Sequence, residues 1–557
     1  MATESRINAS PAATIILLRD TGQGPEVFML RRTLQAKFGS GAYVFPGGRV
    51  DAADGDARIA ARVLGFTDAD ASARLGVASG GLAYWIAAAR ECFEEAGILL
   101  ARDVSGRPVE PERAAALGRL RAPLNSGKLS FADFLDSEDL YLPLREILWF
   151  AHWITPAGRS RRFDTRFFIA RAPENQDGSH DEGETIANTW IRPQEAVARG
   201  ARGEIELMFV TRRMLGEFAT FPQADAALVH ASALEVGLNA ACWAVAADGA
   251  RRLHGRSDPA YFEIHWSDPE ETGNTSTDLK PGVAKRLDAL VTRVIAPNPG
   301  MMTGPGTNAY LVGKDALAVI DPGPDIALHR DALLAAAGGR IRWILCTHTH
   351  MDHSPGAAAL KAATGAQVLG MPAPEGGSQD RGFSPDRVPL HGERIALGGA
   401  TLRVVHTPGH ASNHLCYLLE ETGMLFTGDH VMQGSTVVIN PPDGNMLAYF
   451  RSLEDVIALD AAILAPGHGY LIGDPEKEIR RLIAHRLKRE SKVLAAVEAL
   501  REAGADELLP RVYDDVSPRL HAIASRSLAA HLGKLVEEGR VSAHGGRYRL
   551  ESPARAG

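Results

Sequence analysis

Between residues 347 and 353 the chain reads Thr-His-Thr-His-Met-Asp-His, directly after the apolar run Trp343-Ile344-Leu345-Cys346. Three histidines and one aspartate within six positions suit neither a core nor an ordinary solvated turn. Imidazole and carboxylate are donors that Zn²⁺ accepts, and the crowding calls for two ions, with His348 and His350 turned one way and Asp352 and His353 the other. From residue 291 short apolar runs alternate with helical patterns: strands at 308–312 and 317–321, a helix at 327–337, the strand feeding the motif, then a helix at 356–364. The cluster therefore sits at the end of a strand.

A two-ion site needs further ligands, and three candidates follow short apolar stretches and sit beside glycine. They are His410 in Thr407-Pro408-Gly409-His410, Asp429 in Thr427-Gly428-Asp429-His430, and His468 in Pro466-Gly467-His468-Gly469. In this order and spacing the ensemble resembles the metallo-β-lactamase superfamily over residues 290–475. The resemblance implies one zinc on His348, His350 and His410, a second on Asp352, His353 and His468, and Asp429 bridging them. It makes Asp321 an orienting acid behind the histidines and Asp352 a catalytic group that positions and deprotonates water. His414 and His430 adjoin the ligands, and either contact with substrate or plain packing accounts for them.

Length and composition set the frame. A chain of 557 residues, 45% hydrophobic and 23% charged, is expected to be globular and to divide into two to four domains. Four cysteines, Cys92, Cys242, Cys346 and Cys416, are too dispersed for a C-x-x-C pair or a disulfide framework, which fits a cytoplasmic protein. No apolar run reaches membrane-spanning length, so no membrane partner is expected. The net charge of −8 argues against a surface tuned throughout to nucleic acid, yet residues 476–557 carry 16 Lys+Arg against 12 Asp+Glu. That local excess points to contact with polyanions at the C-terminal end.

Near the other end, two strands around a turn at 22–25 lead to Phe45-Pro46-Gly47-Gly48, a backbone able to turn sharply against a ligand. A helix from 84 to 100 follows, in which Glu91, Glu94 and Glu95 share one face and ask for a cation. The string Arg90-Glu91-Cys92-Phe93-Glu94-Glu95-Ala96-Gly97-Ile98 resembles the second half of the Nudix hydrolase box; its first half is Gly48 with Asp54 in place of glutamate, separated from Arg90 by an insertion of about thirty residues. Arg32, Lys37 and Gly41 partly echo the coenzyme A diphosphatase branch, and residues 153–168 extend the similarity to about residue 230. The resemblance implies Mg²⁺ or Mn²⁺ on Glu91, Glu94 and Glu95, with Glu94 and Glu95 catalytic and Arg90 holding the glutamates. Glu182 and Glu184 are candidates for a further carboxylate, although loop acids are the plainer reading.

Residues 255–283 are rich in Pro, Gly, Ser, Thr and acids, which is linker chemistry, interrupted by an apolar segment at 261–266 expected to dock as a strand. After His468 come an amphipathic helix from about 475 to 503 bearing Arg480, Arg481, Arg486, Lys488, Arg489 and Lys492, two further helices, and a basic hairpin turning at Gly545-Gly546. This order resembles the branch of the superfamily typified by the mitochondrial β-lactamase-like endoribonuclease, whose winged helix follows the metal domain.

The expected fold is therefore α/β multidomain: a Nudix α/β/α sandwich over 1–250, a linker over 251–285, a metallo-β-lactamase αββα sandwich over 286–475, and a long helix with a small winged helix over 476–557. The expected function is metal-dependent hydrolysis of a phosphodiester, single-stranded RNA included, with Mg²⁺-dependent pyrophosphate hydrolysis by the N-terminal half. Two alternatives stand beside it: an acyl-thioester hydrolase of glyoxalase II type, and a Nudix half that only senses a nucleotide or acyl-CoA. Nucleic acid or protein is the expected partner of the winged helix, and the oligomeric state stays open.

Overall fold

Leucine, alanine and aromatic residues at helical spacing make Leu82–Ala96 the helix about which the N-terminal part is built. It stops at Gly97, whose φ of +65° is the left-handed conformation that glycine adopts without a Cβ clash. The computed structural model describes residues 9–36, 39–159, 161–181, 183–375 and 379–551, and the chain falls into two compact units, Met1–Trp243 and Ala244–Gly557.

In the first unit a mixed sheet is ordered Tyr43–Val44, Gly24–Arg32, Ser10–Thr21, Phe163–Arg171, Leu148–Ile154, Leu238–Ala240, with Gly47–Arg49 paired to Ser10–Thr21 and Thr185–Ile191 to Gly24–Arg32. The helix Leu82–Ala96 lays Trp85, Ile86, Cys92 and Phe93 against Ile15, Leu17 and Phe28 of this sheet. The register Ala13↔Gly48 and Thr14↔Gly47 holds the Gly-Gly stretch against the central strand.

The second unit is a four-layer sandwich. A six-stranded sheet, Ala284–Arg286 through Gln367–Leu369 in chain order, faces a five-stranded sheet, Arg394–Ala396 through Ile463–Pro466, also in chain order. Alternation along each strand sorts the side chains. Tyr310, Val312, Ile320 and Leu345 meet Val404, Tyr417 and Phe426 between the sheets. Leu311, Val319 and Ile344 turn outward toward Leu333 and Leu360 of the helices Ala327–Ala337 and Gly356–Thr364. On the far side Leu418 and Leu425 pack on Tyr449 and Leu453 of the helix Met446–Ile457, and on Ile479 and Leu482 of the long helix Pro475–Leu500. The motif loops all leave strands at one rim of this sandwich.

The C-terminal helices Ala505–Val512 and His521–Glu537 and the hairpin Val541–His544 with Arg547–Leu550 close over Leu508, Leu528, Leu532, Leu535 and Val541. Gly545 and Gly546, at φ +57° and +76°, make the two-residue turn.

Two local expectations change. Residues 251–285, read as a linker, carry the strand Arg251–His254 and the helix Tyr261–Ser267. That segment is helical rather than a docked strand because Tyr261 and Ile264, three apart, bury together with Glu263. The long helix is also less of a basic face than its composition indicates. Arg480 pairs with Glu476, Arg481 with Glu478, Arg489 with Asp515 and Lys492 with Asp514, while Arg486 is buried and donates to the Val437 carbonyl. All four cysteines are unpaired and buried. Among the described residues, no helix is long and apolar enough to cross a membrane.

Candidate metal centre

The loop after Ile341–Leu345 delivers Thr347 to His353, and the loops after Thr401–His406, Met424–Gly428 and Ile463–Pro466 deliver His410, Asp429 and His468 to the same place. Three groups of donor atoms converge, each within 4.8 Å: His348, His350 and His410; His348, His353 and Asp429; and Asp352, His353 and His468. His348 and His353 thus each belong to two groups. Nδ1 of His350 lies 2.9 Å from Nε2 of His348 and 3.0 Å from Nε2 of His410. Asp429 spans the halves: Oδ1 is 3.4 Å from Nε2 of both His353 and His468, and Oδ2 is 3.7 Å from Nε2 of His410. Asp352 reaches 3.3 Å from Nε2 of His468 and is more exposed than either His468 or Asp429.

Hydrogen bonds on the outer side fix which nitrogen faces inward. His353 donates Nδ1–H to Asp321 Oδ2 at 2.9 Å, His410 to the Val438 carbonyl at 2.7 Å, and His468 to the Gly306 carbonyl at 3.1 Å. Thr347 spends its hydroxyl proton on Asp321 Oδ2, so Oγ1 is left to accept Nδ1–H of His348 at 3.0 Å. Asp321 Oδ1 also takes the Thr347 amide at 2.7 Å. One buried carboxylate therefore sets the tautomer of two histidines. Their Nε2 lone pairs all point at the same small volume.

For His348 electrostatics agree with that assignment, whereas the carboxylates around His353 favour its protonated ring until a cation takes the proton's place. Burial first, then the neighbouring imidazoles, holds His348 well below the ordinary histidine range, and the same causes bring His350 to about 4. Burial also disfavours charge on His353, but Asp352, Asp429 and Asp321 outweigh it and raise that residue. Nε2 of His353 and His468 and Oδ1 of Asp429 are buried and make no hydrogen bond. Unpaired polar atoms of this kind cost about 1–3 kcal/mol each unless something satisfies them. Nitrogen and carboxylate donors aimed at a shared point are what divalent cations fill, so the donor set fits the metal that the sequence implies.

His414 and His430 are fully buried. His414 stacks on His348 at 5.0 Å between ring centres and bonds Thr407; His430 lies edge-on to Tyr449. Neither reaches solvent. A network that sequence reading did not find runs beside the site: Asn413 donates to Thr349 Oγ1, Thr349 to Gln379, and Gln379 to Asp443. These are single polar residues on separate loops, with no spacing to betray them.

In the first unit the split box comes together. Asp54, 1% exposed, takes Nε and Nη2 of Arg90 at 2.8 and 3.1 Å, and Nη1 of the same guanidinium bonds Glu91 and Glu94 at 2.9 and 2.8 Å. Glu95 accepts the Gly47 amide at 2.9 Å, and a Cβ on Gly48 would stand 2.3 Å from Glu91 Oε1, so the Glu91 carboxylate would have to move. Burial raises all three glutamates, Glu91 to about 7 and Glu95 well above its ordinary value. The glutamates do not form a convergent group like those of the second unit, because Glu91 and Glu94 turn to Arg90 and Glu95 to the loop. Glu184 lies 3.6 Å from Arg32, while Lys37 and Glu182 fall outside the described residues.

Comparison with known proteins gives three family matches: Metallo-beta-lactamase superfamily over residues 302–468, NUDT19 Nudix domain over 59–208, and Beta-lactamase associated winged helix domain over 505–549. Among curated relatives, Lactamase-like protein adaB of Aspergillus niger is 34% identical over 281 residues, covering 47% of this chain and 84% of the relative. Thioesterase pkgB of Emericella nidulans is 34% identical over 239 residues, covering 42% and 67%. Beta-lactamase-like protein 2 homolog of Drosophila melanogaster is 31% identical over 288 residues, covering 47% and 93%. With the converging donors, the layered sandwich and these relatives together, the chain belongs to the metallo-β-lactamase superfamily, a hydrolase of that fold with a Nudix domain before it and a winged helix behind.

Proposed function

We propose that the C-terminal site hydrolyses an acyl thioester on a pair of zinc ions. The observation that carries this reading is the composition of the rim. Segments 296–307, 346–355, 407–414, 429–445 and 467–474, which form or adjoin the ligand loops, contain no lysine or arginine, and 379–386, which bonds the loop at Thr349, has one, Arg381, while Met301, Met302 and Met351 are exposed there. A phosphodiester backbone brings charge that needs cationic partners. A thioester carbonyl with an apolar acyl group asks instead for soft, adaptable side chains, which methionine supplies. Two curated relatives are named thioesterases, pkgB and the Atrochrysone carboxyl ACP thioesterase of Aspergillus fumigatus. The RNA reading rests on the resemblance of the domain order, and the basic residues of the long helix add little to it, since most of them are spent in ion pairs.

Ions held by the two donor groups would polarise the carbonyl and lower the pKa of water to near neutrality. The chain's own part is to hold the geometry. Asp429 presents one oxygen to each half. Asp321 and Thr347 keep the His348 and His353 protons on the outer nitrogens. Asp352, partly exposed beside His468, is placed to orient the attacking water and accept its proton.

For the Nudix unit we infer Mg²⁺- or Mn²⁺-dependent hydrolysis of a nucleotide or coenzyme A pyrophosphate, since its donors are all carboxylate oxygens. The Asp54–Arg90 pair supports this by giving the split box its missing half.

The test is a substrate panel on the full chain. Short acyl thioesters should turn over, and Asp352→Ala, which removes both a donor of the His468 side and the group beside the attacking water, should abolish that turnover. Cleavage of single-stranded RNA that depends on Asp352, with no thioester turnover, would overturn the reading. Separately, Glu94→Gln should abolish Mg²⁺-dependent pyrophosphate hydrolysis; no such hydrolysis in the unaltered protein would make the unit a binding module.

A further inference from the structure

The loop that carries His468, residues 466–473, is held from its outer side by the segment that reads as a linker. Glu263, on the helix Tyr261–Ser267, is wholly buried yet makes four bonds. It accepts Nη1 and Nη2 of Arg293 at 2.6 and 2.9 Å, Nζ of Lys285 at 2.6 Å, and the Leu471 amide at 3.1 Å. Burial works against its charge, but Arg293 and Lys285 outweigh it and hold the carboxyl at about 2. Arg293, itself 1% exposed, passes Nη1 on to the Gly469 carbonyl at 3.2 Å.

More of the same segment grips the same loop. Tyr470 donates its hydroxyl to the Thr277 carbonyl at 2.7 Å, and its amide bonds Gln433, which reaches the Pro259 carbonyl at 2.6 Å. Gly473 lies so close to the Phe262 ring that no Cβ fits. Arg256 pairs with Asp474. On the inner side the loop is just as constrained: a Cβ on Gly467 would stand 2.7 Å from Asp429 Oδ1 and 2.8 Å from Cε1 of His353. Pressed between the clamp and the donor cluster, His468 has one place to be.

We propose that Glu263 is a positioning residue for the His468 side of the metal cluster, so that residues 256–277 belong to the architecture of the site rather than to a tether. The inference rests on the metal reading above. It is selective in that the bonds and contacts described above end on residues 469–474, on the His468 side of the cluster. A buried carboxylate that satisfies two cations and a backbone amide at once is also costly to replace: a neutral amide leaves the buried Arg293 and the partly buried Lys285 without their anionic partner.

The test is a zinc titration of the metal-free full chain against a competing chelator, with bound zinc counted by elemental analysis. Wild type should bind two equivalents. Glu263→Gln should weaken one of the two steps by about tenfold or more, the range found when partners behind a ligand are lost, and leave the other unchanged. The weakened step should be the one lost in His468→Ala and retained in His410→Ala. Glu263→Asp should restore part of the affinity. Should Glu263→Gln fail to fold, Tyr470→Phe removes a single bond between clamp and loop and should weaken the same step severalfold with an unchanged melting curve of the metal-free protein. Two wild-type steps in both variants would overturn the proposal, as would equal weakening of both steps. A wild-type protein that takes up no zinc would overturn the metal reading, and this inference with it.

Discussion

Asp321→Asn isolates what the carboxylate behind the metal cluster contributes, because the backbone is not a confounder. Asp321 sits at φ +54°, a left-handed conformation that asparagine tolerates. Its Oδ1 accepts the Thr347 amide, and its Oδ2 accepts both the Thr347 hydroxyl and Nδ1–H of His353. An asparagine has two ways to sit there. If its oxygen stays on the Thr347 amide, its NH₂ faces two donors. Relief then requires His353 to move its proton to Nε2 and the Thr347 hydroxyl to turn toward His348, moving that proton to Nε2 as well. Both inward lone pairs are lost. If the amide flips instead, the NH₂ meets the buried Thr347 N–H, and an unpaired buried donor costs about 1–3 kcal/mol. Either route taxes the metal-competent tautomer by an amount that agrees with the ten- to hundredfold loss of metal affinity usual for such partners, about 1.4–2.7 kcal/mol. Chelator competition with zinc should show that loss. Zinc affinity within twofold of wild type would refute the tautomer argument.

Glu91 predicts a pH dependence of the first unit: burial raises its carboxyl to about 7, so the folded state binds a proton that the unfolded state releases near the ordinary value. That stability is fully present below the unfolded value and lost as pH rises through about 7; the melting temperature in EDTA should fall from pH 5 to pH 8, Mg²⁺ should oppose the fall, and Glu91→Gln should reduce it, Glu94 and Glu95 supplying the rest. Asp54→Ala leaves the Arg90 guanidinium without its bidentate partner in a buried place and should destabilise that unit by about 3–5 kcal/mol in urea unfolding. Gly467→Ala sets a Cβ against Asp429 Oδ1 and His353, so zinc stoichiometry should drop even though alanine accepts the backbone conformation.

The donor residues were legible in sequence because ligand chemistry restricts residue type, and because glycine must adjoin a ligand packed this closely. Gly467 and Gly428 illustrate the second point: each would drive a Cβ into the cluster or its support, Gly428 against Thr347 and His414. The sandwich was legible for a different reason. Strands such as Asn308–Gly313 and Leu317–Ile320 are buried on both faces and read as unbroken apolar runs. The neutralisation of the basic helix was hidden because a charge is visible in sequence and its partner is not. Asp514 and Asp515 come from the turn after Ala505–Val512 and neutralise Arg489 and Lys492 across more than twenty residues.

The clamp on the His468 loop was hidden for the same reason, with more at stake. Proline, glycine and acids over 255–283 are the composition of a tether, and by composition Glu263 is one acid among several. What removes it from that class is Arg293, thirty residues on in the middle of a strand, where an arginine inside an apolar run is itself an anomaly. A buried cation must have an anion, and the strand Val291–Ile295 offers none. The arginine in the strand was therefore the signal, and the apolar helix with one acid at its centre was its complement. Reading the pair together would have moved the start of the metal domain from residue 286 back into the supposed linker, and with it the part of the chain that decides how His468 is held.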